Sequence, residues 1–264
     1  MRMKNILHQL YSALVITFIY CSSSISADFT LKGLTSWVKG EKEETYFKEI
    51  PFYADGTLIL ENEFGTVTIK SWSFPKIVIE AVKRAPTKEL STLDIETTLV
   101  TNQLFITSHN SSKNSSIDFQ IIVPTSTTLV FKGKEGTIKT KNIEGVQHIA
   151  SNSSVDIQGA SNSVQVTTAG QISLNLTRLP AHATISLKSS KSSITVRLPS
   201  SCNATLKATT QYSSVISHQP ITLKPITLLL NKQHWENLKK SIEGILGNGG
   251  ATLDIQAYNG ITIY

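Results

Sequence analysis

The chain of 264 residues contains two cysteines, Cys21 and Cys202, and of these Cys202 is the candidate nucleophile. Cys202 stands in Pro199–Asn203, with no histidine nearby in the sequence and no flanking motif. A reactive thiolate needs a neighbouring base or cation that lowers its pKa. We therefore expect Cys202 to be a buried small apolar residue, and we assign no catalytic residue.

Clustered carboxylates would indicate a different chemistry, because β-helix enzymes that cleave acidic polysaccharides use several Asp or Glu side chains on one face. Between residues 137 and 235 the acidic residues are Glu144, Asp156 and no others. They do not share a position of the repeat described below. We expect that the protein is not an enzyme; a polysaccharide-active β-helix enzyme is the alternative function.

Histidines at equivalent positions of neighbouring strands could hold a metal ion. His148, His182 and His218 fall at three different positions of the repeat. We predict no metal and no other cofactor, and we interpret these histidines as surface or turn residues.

Lysine and arginine give the clearest functional signal. Residues 28–127 contain 10 basic and 13 acidic side chains, whereas residues 128–240 contain 13 basic and 4 acidic ones, a net charge of +9. A surface of this kind attracts polyanions. The predicted binding residues lie on the outward face of residues 128–220: Lys139, Lys141, Arg178, Lys188, Lys191, Arg197 and Lys207. Alternatively, the basic residues only keep a β-rich surface soluble and block the pairing of strand edges.

The N-terminus predicts the compartment and with it the partners. Residues 1–27 have the basic start, apolar run Tyr11–Cys21 and final small residue of a signal peptide. The apolar run is shorter than the roughly 20 residues of a membrane-spanning helix, although an uncleaved N-terminal anchor is an alternative. Export to the periplasm, the cell surface or the medium makes an anionic glycan, a cell-wall polymer or a membrane surface the expected partner. Nucleic acid is not expected, because the basic region lacks interleaved aromatic residues.

Apolar residues at every second position predict the elements that carry these side chains. From about residue 56 the pattern includes Leu58 and Leu60, then Val67 and Ile69. Such alternation is typical of strands with one face in a core and the other in solvent. The 32 Ser and 30 Thr residues suit the outward face.

The strands recur in pairs at a nearly constant spacing. The second strand of each pair starts with an apolar residue, here termed the lead residue: Ile138, Val155, Ile172, Ile194, Val215 and Ile261. The first strand starts about eight residues earlier, at Leu129, Val146, Val164, Ile185, Leu206 and Leu253. Each unit is too short to bury its own apolar face, which favours stacking. We predict an all-β, right-handed parallel β-helix-like solenoid with short coils, capped at both ends; an antiparallel sandwich is the alternative.

Turn residues support this interpretation. Glycines that suit turns with positive φ stand at Gly65, Gly136, Gly170 and Gly260. Serine-rich runs replace glycine at 151–154, 189–193 and 211–214, and these turns are expected to be looser or differently shaped.

The ends of the chain need separate elements. Residues 28–55 are predicted to be an exposed start, with the charged run Lys39–Glu44, followed by a capping strand at Phe47–Tyr53. Residues 56–264 form the solenoid domain, which Leu253–Tyr264 closes. The apolar spacing of His234–Leu246 suggests a short amphipathic helix.

The order of short motifs resembles a bacterial family of candidate adhesins that carry the DUF4097 domain. The matching segments are Gly56–Asn62, Gly65–Ile69, Trp72, Ile77–Glu80, Ile121–Pro124, Gly249–Gly250, Leu253–Ile255 and Asn259–Ile263. They span about residues 56–264. Members of the family carry Asn-Gly or Asp-Gly in most turns, whereas this chain keeps Asn-Gly in the last turn and has serine-rich runs in several others. The resemblance implies a secreted or membrane-tethered β-solenoid and no catalytic residue.

Together these features predict an exported, adhesin-like or envelope-associated binding protein. Its ligand would be an anionic glycan or lipid headgroups, bound through a basic face of the solenoid. A structural, self-assembling envelope component is a further alternative.

Overall fold

The computed structural model describes residues 41–109, 114–223 and 240–264. These residues form an all-β structure with one short 3-10 turn, Leu90–Thr92. The strands are β1 (Glu41–Pro51), β2 (Thr57–Phe64), β3 (Val67–Trp72), β4 (Lys76–Pro86), β5 (Asp94–Val100), β6 (Gln103–His109), β7 (Ser116–Pro124), β8 (Thr128–Glu135), β9 (Ile138–Lys141), β10 (Gln147–Ala150), β11 (Val155–Ala160), β12 (Val164–Thr168), β13 (Ile172–Leu176), β14 (Thr184–Ser189), β15 (Ile194–Arg197), β16 (Ala204–Thr210), β17 (Val215–Ser217), β18 (Thr222–Leu223), β19 (Ser241–Leu246), β20 (Ala251–Ala257) and β21 (Ile261–Ile263).

Within the described residues the strands form two large mixed sheets. Sheet 1 has the order β1-β4-β7-β3-β9-β11-β13-β15-β21-β17. Sheet 2 has the order β18-β19-β16-β20-β14-β12-β10-β8-β2-β6-β5. The inner pairs of both sheets are parallel, and antiparallel pairs lie towards the ends.

The lead residues lie side by side in sheet 1. Val155 is the Cα partner of Ile138 on one side and of Ile172 on the other, and Ile172 is in turn the partner of Ile194. Ile261 follows Ile194 in the same row. A slip by one residue would turn every inward side chain to solvent, so burial of the apolar row selects this register.

The inward side chains of both sheets form one hydrophobic cluster. Leu58 and Leu253 of sheet 2 and Ile69 and Ile172 of sheet 1 are fully buried in it. Burial of an aliphatic side chain of this size stabilises the fold by about 1.5–3 kcal/mol relative to exposure. The two sheets therefore depend on each other for their stability.

The sequence predicts that the last strand pair closes the structure, and this prediction is wrong. Strands β20 and β21 lie between β14 and β16 in sheet 2 and between β15 and β17 in sheet 1. The pair β2–β3 is placed in the same way between β8–β9 and β6–β7. Parallel neighbours need no particular order along the chain, so the pattern of apolar residues could not predict this insertion.

The N-terminal edge of sheet 1 starts earlier than the sequence predicts. The charged run was expected to precede a strand at residues 47–53, but from Glu41 onward it belongs to β1, which is antiparallel to β4. Glu43 accepts a hydrogen bond from Arg84 Nε at 2.8 Å, and Glu44 accepts one from Lys83 Nζ at 3.1 Å. These ion pairs match the carboxylates of β1 to the bases of β4.

The predicted amphipathic helix is wrong for Ser241–Leu246, which form β19, antiparallel to β16. Gly244 and Leu246 are buried and Ile242 is half-buried, so these alternate positions fit a strand. A Cβ at Gly244 would crowd Ile221 and Thr222, and glycine weakens a helix. Residues 234–239 of the predicted helix lie outside the described residues.

The predicted alignment is wrong by one residue at β10. Gln147, and not Val146, is the partner of Leu129 and of Val164. Gln147 is therefore a buried polar side chain in an apolar row. Thr140 Oγ1 of sheet 1 donates to Gln147 Oε1 at 2.8 Å, which links the two sheets. This bond avoids the cost of about 1–3 kcal/mol for an unpaired buried polar group.

Positive φ is confirmed at two of the four predicted glycine turns. Gly65 has φ 123° and Gly136 has φ 120°, whereas Gly170 and Gly260 do not have positive φ. A Cβ on Gly136 would overlap the carbonyl group of Gly65. Close approach of neighbouring turns, in addition to φ, therefore requires glycine at this position.

Side-chain hydroxyls hold the serine-rich turns by hydrogen bonds. Of the two expectations for these turns, looser or differently shaped, the first is therefore wrong. Thr168 donates to Ser153 O at 2.5 Å, and Thr210 donates to Ser213 O at 2.9 Å. Ser192 N donates to Ser189 Oγ at 3.1 Å. Thr168, Ser189 and Thr210 are buried, so part of the hydroxyl surplus lies at this corner of the structure and not on the outward face.

The signal-peptide prediction for residues 1–27 lies outside the described residues. Among the residues that are described, no helix is long and apolar enough to cross a membrane.

Candidate functional site

The basic residues of β4 and β8 are paired with carboxylates. Arg84 bonds to Glu43 and also, through Nη1, to Asp118. Partial burial opposes the charge of Arg84, but its bonds to these two carboxylates outweigh that effect and raise the pKa of the guanidinium group. The other ion pairs of this kind are Lys76–Glu49 at 2.9 Å, Lys83–Glu44 at 3.1 Å, Lys132–Glu61 at 3.6 Å and Lys134–Glu63 at 2.6 Å.

Four of the seven predicted binding residues lie on or beside sheet 1. Lys139 and Lys141 are exposed on β9, and Arg197 is exposed at the end of β15. Arg178 is exposed in the segment that follows β13. Lys141 and Arg197 occupy the same row, with Gln158 and Asn175 between them. Three strand spacings separate the two cations, about 14 Å.

The other three predicted residues lie elsewhere. Lys188 is exposed on β14 and Lys207 on β16, both in sheet 2. Lys191 is exposed in the turn between β14 and β15. The seven predicted residues therefore lie on two sheets and in two connections, because the chain alternates between the sheets from one strand to the next.

Charge pairing also separates these residues. Lys207 Nζ lies 3.4 Å from Glu243 Oε1, so its charge is partly neutralised. For the other six, no carboxylate oxygen of a described residue lies within 4.0 Å. Asp156 is the neighbour of Lys139 in the ladder, but it accepts a bond from Gln158 at 3.2 Å.

An open cleft of about 630 Å³ lies beside Lys188 on sheet 2. We term it the Tyr258 cleft. Its lining includes the polar side chains Lys188, Ser190, Thr209, Gln211, Gln256 and Tyr258. The cleft sits where the C-terminal ends of β14, β20 and β16 lie side by side, so it exists because β20 is inserted between the other two strands.

Backbone hydrogen bonds fix the floor of the Tyr258 cleft. The amide of Tyr258 donates to Ser189 O at 3.0 Å, and the amide of Gln211 donates to Ala257 O at 3.1 Å. The amide of Tyr212 donates to Tyr258 O, also at 3.1 Å. The ladder thus continues past the strand ends into the turns and positions the side chains at the rim.

Two tyrosines form a fixed pair at this rim. The ring centroids of Tyr212 and Tyr258 are 4.6 Å apart, and the ring planes are tilted by 50°. A hydrogen bond with Tyr212 raises the pKa of Tyr258. Gln211 Nε2 donates to the Tyr212 hydroxyl at 3.3 Å. Tyr212 nevertheless leaves 61% of its surface exposed.

A second aromatic group, Tyr264 and His218, lies beside Arg197 on sheet 1. The guanidinium carbon lies 4.8 Å from the ring centroid of Tyr264, and the ring of His218 stacks on the same tyrosine at 4.8 Å, nearly parallel. A cation over a ring face is attracted by about 0.5–1 kcal/mol at exposed sites. Arg197 is thereby oriented without losing its charge.

No family model matches the chain, and no curated protein matches it. A solved structure of a candidate cell adhesion protein from Clostridium sporogenes ATCC 15579 is similar at 14% identity and a TM-score of 0.47, covering 84% of this chain and 98% of that one. A candidate adhesin from Bacteroides fragilis NCTC 9343 is similar at 12% identity and a TM-score of 0.42, covering 84% and 97%. At such values these likenesses establish neither a shared fold nor a shared function. The resemblance to the DUF4097 family stays a prediction.

The sequence analysis missed the tyrosine pair, although a signal for it was present. Tyr258 stands three residues before the lead residue Ile261, and Tyr212 stands three before Val215. Alignment by lead residues therefore places both tyrosines at one repeat position. What it could not show is that these two units are neighbours, because that depends on the insertion of β20 and β21.

Cys202 is buried, as the sequence predicts. Burial raises the pKa of its thiol, which makes the thiolate scarce at neutral pH. In residues 41–109, 114–223 and 240–264, no cluster of three or more His, Cys, Asp or Glu side chains could hold a metal ion.

Proposed function

We propose that the chain is an exported, non-enzymatic, adhesin-like or envelope-associated protein that binds an anionic glycan or lipid headgroups through its unpaired basic residues. Export follows from the signal-peptide features of residues 1–27. The fold we propose for residues 56–264 is a right-handed parallel β-helix-like solenoid, capped at both ends.

The ladder pattern supports the solenoid. From β8 to β17 the chain alternates between sheet 2 and sheet 1, and each strand in this range is parallel to its neighbours in both sheets, apart from the edge pair β16–β19. The lead residues are in register across five neighbouring strands of sheet 1, from β9 to β21. The antiparallel strands β1, β4 and β5 would form the cap at one end, and β18 and β19 the cap at the other.

The contrast in charge pairing is the observation that carries the proposed function. Bases on β4 and β8 are matched by carboxylates, whereas no carboxylate of a described residue lies within 4.0 Å of Lys139, Lys141, Arg178, Lys188, Lys191 or Arg197. Exposed and unmatched cations remain available for an anionic polymer or surface.

The expected contribution of these cations is measurable. Each Lys or Arg beside an anionic surface contributes about 1 kcal/mol at low salt. Loss of three such residues therefore predicts a fall in affinity on the order of 100-fold.

The test compares two triple variants that remove the same charge. One carries Lys188→Gln, Lys191→Gln and Arg197→Gln; the matched control carries Lys76→Gln, Lys132→Gln and Lys134→Gln, whose lysines are ion-paired. Affinity is measured at low ionic strength for polygalacturonate and for vesicles with and without phosphatidylserine, which separates the glycan from the lipid source. A loss confined to the first variant supports the proposal; equal losses, or none, overturn it.

A further inference from the structure

We propose that the Tyr258 cleft is a saccharide-binding subsite that takes one acidic sugar unit of the glycan. The inference rests on the proposed function. It adds a specific site, a specific class of ligand and uncharged residues to the basic residues proposed above. Three properties of the cleft carry it: its hydrogen-bonding groups, its aromatic rim and its single cation.

The hydrogen-bonding groups of the cleft match sugar hydroxyls, which both donate and accept. Ser190 and Thr209 carry hydroxyls of the same kind. The amide nitrogen of Gln256 donates to Asp254 at 3.4 Å and that of Gln211 donates to Tyr212. These bonds orient the two amides, and their carbonyl oxygens accept no bond from a described residue.

The tyrosine pair offers an apolar ring face at the rim. Sugar rings present C–H groups on one side, and an aromatic face packs against them while the phenol oxygen remains wet. The two rings already pack against each other, with centroids 4.6 Å apart, and Gln211 donates to the Tyr212 hydroxyl at 3.3 Å. Binding would therefore cost little side-chain entropy, and more of the energy from covering the exposed rings would appear as affinity.

Lys188 supplies the charge that selects an acidic sugar. It is exposed on β14, and its neighbours in the ladder are the neutral residues Thr167 and Gln256. Lys191 follows in the adjoining turn. A carboxylate, sulfate or phosphate on the sugar would meet an unneutralised cation beside the aromatic rim.

Single-stranded nucleic acid is the other ligand that combines anions with aromatic contacts. Proteins that bind it use a groove of cations along the backbone and successive aromatic platforms. The Tyr258 cleft has one cation among its lining side chains and one aromatic pair. Its volume of about 630 Å³ falls in the range of about 300–1,000 Å³ of small-ligand sites, which favours a short oligosaccharide.

The test uses a trimer of galacturonic acid as the probe, with a galactose trimer as its neutral counterpart. Calorimetric titration compares the unaltered chain, the double variant Tyr212→Ala with Tyr258→Ala, and the control Tyr53→Ala, which removes a tyrosine that is 74% exposed. We expect the double variant to lose about tenfold in affinity for the acidic trimer, while the control stays unchanged. Thermal unfolding of the three proteins at the same temperature shows that the fold is intact.

Failure of the subsite and failure of the proposed function give different results. The subsite is overturned if the double variant binds the acidic trimer as tightly as the unaltered chain does, or if the unaltered chain does not bind the trimer. In either case the proposed function still stands if the variant that lacks Lys188, Lys191 and Arg197 loses affinity for the polymer. Equal binding of the neutral trimer overturns the role of Lys188. Displacement of the trimer by a short single-stranded oligonucleotide of higher affinity overturns the choice of ligand class.

Discussion

The region from β1 to β7 and the region from β14 to β21 belong to the same two sheets. They differ in the charge pairing of their surfaces and in the packing of their turns. In the first, Lys76, Lys83 and Arg84 of β4 are paired with carboxylates, and the turn at Gly65 packs against backbone so closely that no side chain fits. In the second, Lys188, Lys191 and Arg197 have no carboxylate of a described residue within 4.0 Å, and the turns have room for two tyrosines. The comparison suggests that one region closes the structure while the other is free to bind.

The largest contrast is expected between two glycines. Gly136→Ala would place a Cβ on the carbonyl of Gly65 at positive φ, whereas at Gly260 the nearest atoms to such a Cβ are 3.5 Å away. Backbone strain and overpacking together should lower the free energy of unfolding by about 3 kcal/mol or more for Gly136→Ala. Urea unfolding of both variants measures this difference. The free energy of unfolding of Gly260→Ala should lie within about 0.5 kcal/mol of that of the unaltered chain. A similar loss in both variants would contradict the close packing at Gly136 and the open space at Gly260.

A smaller contrast is expected between two arginines. The side chain of Arg84 is 15% exposed and bonded to Glu43 and Asp118, so Arg84→Gln removes charge-assisted bonds at a partly buried site. We expect the free energy of unfolding to fall by about 2 kcal/mol. This value is smaller than the cost of breaking a fully buried ion pair because the site is partly exposed. Arg197→Gln should change stability by less than about 0.5 kcal/mol.

Chemical denaturation at low and at high salt checks the arginine pair. Because its partners raise the pKa of Arg84, the contribution of the charged guanidinium to stability is fully present at neutral pH and is lost as the pH rises through a strongly alkaline value. A large loss of stability for Arg197→Gln, or none for Arg84→Gln, would contradict the division into a structural and a binding region.

Apolar alternation predicted the all-β class and most of the register. Val155, Ile172 and Ile194 were aligned from their spacing alone, and the ladder pairs them. The alignment was wrong at Val146, where a buried Gln147 occupies the row. Alternation predicts which positions face inward, but it does not predict that a buried polar side chain finds a partner such as Thr140 across the core.

The candidate site was less predictable, because it depends on strand order. Lys188 could be chosen from charge alone, but Tyr258 and Gln256 are its neighbours only because β20 pairs with β14. Parallel strands from distant parts of a chain are joined by hydrogen bonds that any sequence can make, so spacing contains no information on which unit lies beside which. The helix predicted at 234–246 fails over β19 for a related reason, since pairing with β16 determines its structure.

The salt dependence of polymer binding tests the central claim most directly. The logarithm of the affinity for polygalacturonate is measured against the logarithm of the salt concentration for the unaltered chain and for both triple variants. Screening weakens exposed charge interactions over about 10 Å at 0.1 M salt. We predict steep and equal slopes for the unaltered chain and the ion-paired control, and a much shallower slope without Lys188, Lys191 and Arg197. Binding that does not depend on salt, or the same slope in all three proteins, would contradict the account.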